Sequence, residues 1–104
     1  MILLALVTFE HGGDYGERLP LNCQGACGWM VAEAANSQDV TRVFRASLAA
    51  ERLRLIEVDE VQVVESAAQV EPFDKHLAEN MRNWEPRRPT VWGTLHLYTE
   101  DGGE

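Results

Sequence analysis

Apolar residues fill positions 2 to 9 on both alternating phases, interrupted only by Thr8. A short run of this kind predicts a strand covered on both faces and central in its sheet. The next stretch, 11 to 28, reads "HGGDYGERLPLNCQGACG", with five glycines, one proline and no sustained period. It predicts a long irregular connection, and connections of that length are disproportionately functional. "WMVAEAAN" then reads as a second strand, with Trp29, Val31 and Glu33 on one side and Met30, Ala32 and Ala34 on the other.

From about Gln38 to Arg54 the apolar positions change period. Val40, Val43, Phe44, Leu48 and Leu53 recur at helical spacing, behind a capping site at Asn36 and Ser37 with Asp39 in the first turn. "LIEVDEVQVVE" returns to a strand rich in β-branched residues, but Ile56 and Val58 share one phase while Val61 and Val63 share the other. Because a one-residue slip turns an apolar set outward, the change of phase at Asp59 and Glu60 predicts a bulge or bend there. Pro72 suits the start of a second helix, whose stripe is Phe73, Leu77, Met81 and Trp84 and which ends before Pro86. "TVWGTLHLYTE" alternates as a last strand, with Val91, Leu95 and Leu97 on one phase and Trp92, Thr94, His96 and Tyr98 on the other.

Strand, strand, helix, strand, helix, strand over residues 1 to 104 predicts one α+β domain. The expected form is a two-layer sandwich, a four-stranded and mostly antiparallel sheet with both helices on one face, in a ferredoxin-like arrangement. A right-handed crossover through the long helix sets the second and third strands parallel.

Charge narrows the partners. The formal net charge is −8, from 17 acidic against 9 basic residues. Such a chain repels phosphate backbones, so nucleic acid is not an expected partner. "MILLALVTF" lacks a basic start, a following cleavage site and the length of a membrane span, so no membrane association is expected and the expected compartment is the reducing cytoplasm.

Candidate chemistry is sparse. Cys23 and Cys27 are four apart with no other cysteine, unlike the paired spacing of zinc sites; His11 with an acid of the same loop could complete a site. "HGGDYG" has neither Walker spacing nor the dinucleotide fingerprint. His11, His76 and His96 fall on a loop, a helix and a strand, and no nucleophile stands in a recognised context, so no catalytic set and no cofactor is expected. Arg42, Arg45 and Arg52 read as a solvated helix face.

The richest pattern is the last strand. Trp92, Thr94, His96 and Tyr98, with Trp29 from the second strand, are expected on the sheet face that the helices leave open, where rings with hydrogen-bonding tips suit recognition. The expectation is therefore a small acidic, non-enzymatic interaction or regulatory module that forms a homodimer or binds another protein. The alternative is a small-ligand or metal-binding protein using the 11–28 loop with Cys23 and Cys27.

Overall fold

The computed structural model describes residues 1–11, 23–85 and 88–99. The first apolar run forms β1 (Ile2–His11), followed by β2 (Cys23–Glu33), α1 (Val40–Ala50), β3 (Leu53–Val64), the one-turn α2 (Ala67–Val70), α3 (Lys75–Arg82) and β4 (Thr90–Thr99). Together they make an α+β fold on one open four-stranded sheet in the order β3-β1-β2-β4, antiparallel at every pairing. β2 and β3 both run against β1, so they run parallel to each other across it, as the crossover requires. The second strand begins earlier than its sequence suggests: residues 23–28, read as loop, already pair with β1 and β4.

β1 lies inside the sheet, and Leu3 and Leu4, on its opposite faces, are each fully buried. Its odd positions, from Leu3 to Phe9, pack with Met30 and Ala32 of β2 against Val40, Phe44 and Leu48 of α1. Leu4 packs with Val31, Val64 and Val91 against Val70 of α2 and Leu77 of α3. The helices therefore lie on opposite faces. The expectation of both helices on one face is overturned, and with it the two-layer, ferredoxin-like order; the chain runs ββαβααβ. The physical reason is β1 itself, whose two apolar phases each need a covering element.

Local chemistry sets the helix ends. Asn36 Oδ1 accepts the Asp39 N–H at 2.9 Å, and Asp39 accepts Arg42 Nε–H at 2.7 Å, which holds the Asp39 carboxyl below the usual carboxylate range. α1 closes at Arg52, which takes φ 63°; a left-handed residue after the last turn is a common helix stop. The helix expected from Pro72 begins later, as α3 at Lys75, and the separate single turn α2 lies before Pro72, where no helix is expected. Ser66 opens the single turn of α2, and Asp74 caps α3 by accepting the Leu77 N–H at 3.0 Å. Phe73 stays outside both helices.

β3 bulges where the apolar phase slips. Leu4 pairs with Gln62 and Leu6 with Asp59, so three steps of β3 oppose two of β1, and Glu60 sits at φ 56°. A non-glycine residue there costs about 1–2 kcal/mol of steric strain, against the roughly 0.5–1 kcal/mol that glycine's extra unfolded-state freedom costs. Glu60→Gly should therefore gain up to about 1 kcal/mol, read as a higher urea midpoint with an unchanged slope.

Candidate binding face on the half-covered side of the sheet

α2 and α3 cover only the part of their face around Ile2, Leu4, Val31 and Val91. Beyond it the same face continues through Leu6 and Thr8 of β1, which oppose Trp29 and Cys27 of β2, and through Asp59 and Glu57 of β3. His96 of β4 opposes Cys27. Leu6, Thr8, Cys27 and Trp29 are half-buried, and Glu57, Asp59 and His96 are exposed. No described element lies over these residues. Trp29 meets Phe73 at 5.0 Å between ring centroids, and Phe73 is itself 42% exposed. The result is an apolar floor at the margin of the helical cover, with carboxylates along the β3 side.

The acids have local consequences. Arg54 is committed to Glu10 in an ion pair. The Asp59 carboxyl, hydrogen-bonded to Glu57 and close to it, holds Glu57 above the usual carboxylate range. A carboxyl raised on folding contributes stability below the ordinary range near pH ~4.3, and that contribution is lost as pH rises through the folded value. Glu57→Gln should therefore be more stable than the wild type at neutral pH, with the difference shrinking as pH falls through the ordinary carboxylate range and Glu57 protonates. Urea unfolding of both proteins across that range checks it.

Only part of the expected site comes together here. His96 and Trp29 share the face, joined by Cys27, whose thiol is free. Trp92 does not. Between Met30↔Trp92 and Gly28↔Leu95, β2 advances two residues and β4 three, so a bulge reverses the alternation of β4. Trp92 and Leu95 consequently both pack with the α1 cluster, and Trp92 lies 5.6 Å from Phe9 between ring centroids. Leu97 opposes Ala26 on that same α1 side, whereas Val91 packs against α3. The expected grouping of Trp92 with Thr94 and His96 on one open face is thus corrected, as is that of Val91 with Leu95 and Leu97.

Thr94 has a structural partner. Its N–H donates to Asp74 Oδ2 at 2.8 Å, while Asn80 Nδ2–H donates to the Trp92 carbonyl at 2.8 Å, so α3 holds the bulge from one side. Gly28 holds it from the other: a Cβ there would lie 2.5 Å from the Thr94 carbonyl oxygen. Trp92 Nε1–H donates to Thr90 Oγ1 at 3.2 Å, beside Ser47. Phe73, Glu57 and Asp59 escaped sequence reasoning. The spacing of Phe73 to Leu77 fits a helix stripe, and the two acids stand at alternate positions of a strand, a spacing that puts both on one face.

The side chains of His11, Cys23 and Tyr98 and residues 12–22 lie outside the described residues, so the expected 11–28 loop site is described only at its β2 end. Among the described residues no group of three histidine, cysteine or acidic side chains is placed to hold a metal ion. Two shallow grooves flank Arg88, one of about 270 Å³ beside Trp92 and α1, the other of about 290 Å³ beside Trp84. Both fall below the roughly 300–1,000 Å³ of small-molecule sites. No described helix is long and apolar enough to cross a membrane. No protein-family model, curated protein or solved structure matches the chain.

Proposed function

We propose that this chain is a non-enzymatic interaction or regulatory module that docks a protein partner through the half-covered sheet face. The observation that carries this reading is the Trp29–Phe73 pair, two large rings in contact at the edge of the cover, with Phe73 42% exposed and Leu6 and Cys27 beside them. Aromatic anchors on an apolar floor with a polar margin have the make-up of a protein interface. The free Cys27 thiol suits a reducing compartment such as the cytoplasm.

The test is site-specific photo-crosslinking in the source cells, with the reactive residue placed at Thr8 or His96 on this face and, as controls, at the exposed Ala49 of α1 or Glu79 of α3. A protein adduct of one mass from the first two positions and none from the controls is expected. No adduct, or equal yields from all four positions, overturns the reading.

A further inference from the structure

Resting on that docking face, we infer that its occupant is a basic, partly apolar surface of a different protein and not a second copy of this chain. A twofold dimer would bring the same patch of both copies together. On this face the pairing partners of Leu6 and Thr8 on β3 are Asp59 and Glu57, so a twofold contact would enclose four carboxylates, two from each copy, in one interface. From Glu57 to Glu65, β3 and its exit carry four carboxylates and no basic residue, and Arg54, just before them, is already paired with Glu10. The whole chain at −8 adds repulsion between copies and attraction for a cationic partner.

Edge-to-edge association is disfavoured as well. β3, one edge of the sheet, carries two register shifts against β1 and the left-handed Glu60, and β4, the other edge, carries its own bulge. Bulges and charges on edge strands are the usual guards against strand addition. What remains is the face, where a lysine or arginine reaches the Glu57–Asp59 pair and relieves its mutual repulsion while an apolar neighbour covers Leu6, Trp29 and Phe73.

The experiment uses the full chain and a short amidated peptide of alternating lysine and leucine as probe, followed by amide chemical shifts. Shifts confined to Thr8, Cys27, Trp29, Glu57, Asp59 and His96 are expected, with light scattering showing a monomer in the absence of probe. Affinity should fall about tenfold in a Glu57→Gln, Asp59→Asn double variant and stay within about twofold in Glu71→Gln, and it should weaken as salt is raised. Shifts spread equally over Glu33, Glu71 and Glu79, no shifts at all, or a wild-type dimer each overturn the inference. A dimer crosslinked through Thr8 or His96, or an acidic partner captured there, sinks the basic-partner inference and leaves the docking face standing. Absence of any crosslink removes the docking face itself.

Discussion

Gly93→Ala is expected to destabilise the protein by about 3 kcal/mol, at the upper end of what overpacking costs. Gly93 lies in the β4 bulge against the start of α3, and a Cβ there would fall 2.7 Å from Leu77 Cβ and 2.9 Å from Asp74 Cγ, closer than packed atoms stand. Leu77 is fully buried and cannot swing away, so the adjustment falls on Asp74. That carboxylate accepts both the Leu77 N–H that begins α3 and the Thr94 N–H of the bulge, and moving it loosens a helix cap and a strand anchor together. Asp74→Ala alone removes the same two acceptors and should cost about 1–2 kcal/mol. The two changes act on one contact, so they should not add: alanine at 93 should cost less in the Asp74→Ala background than in the wild type. Urea unfolding of the four proteins measures the coupling, and simple additivity would show that Asp74 does not carry the strain.

That bulge is also where the last strand misleads a reader of the sequence. Trp92-Gly93-Thr94-Leu95 fits an unbroken alternation, and nothing in its hydrophobic pattern signals the extra residue. The available hint was Gly93 itself, since a glycine inside a strand often marks a bulge or a close approach by another element. The comparable irregularity in β3 was legible because its apolar residues change phase across Asp59 and Glu60, while those of β4 do so only in three dimensions. The two-sided burial of β1 was legible too. Carried one step further, it required an element on each face, which conflicts with placing both helices on the same side. The helical period expected from Gln38 to Arg54 holds over 40–50, where Val40, Val43, Phe44 and Leu48 form one stripe, whereas Leu53 and Arg54 already belong to β3. The helix expected from Pro72 is present only from Lys75, because Phe73 sits at helical spacing from Leu77 yet lies before the Asp74 cap and turns to Trp29. The make-up of the half-covered face was therefore half readable. Trp29 and His96 do share it, Trp92 is turned to the α1 side by one bulge, and the acid pair has only the alternate spacing common to any exposed strand.

Phe44→Ala should cost about 3–5 kcal/mol, the range for emptying a fully buried aromatic site. Against the roughly 5–15 kcal/mol available to a domain of this size, that is enough to bring the chain close to unfolding at ambient temperature. Leu77→Ala on the opposite face should cost about 2–5 kcal/mol. Combining the two would unfold the protein outright, so the informative pair is Phe44→Leu with Leu77→Val, each about 1 kcal/mol. Phe44 belongs to the cluster under α1 and Leu77 to the cluster under α2 and α3, with the sheet between them. Residues separated in this way share no neighbour whose repacking could link them, so the two costs should add to within about 0.5 kcal/mol. Helices packed side by side on one face would place both side chains in a common core, and the double variant would then show coupling of about 1 kcal/mol or more. Denaturant unfolding of the four proteins decides between the arrangements, and the proposed docking face requires the additive result, because only helices divided between the two faces leave Leu6, Cys27 and His96 without a described helix over them beside Trp29.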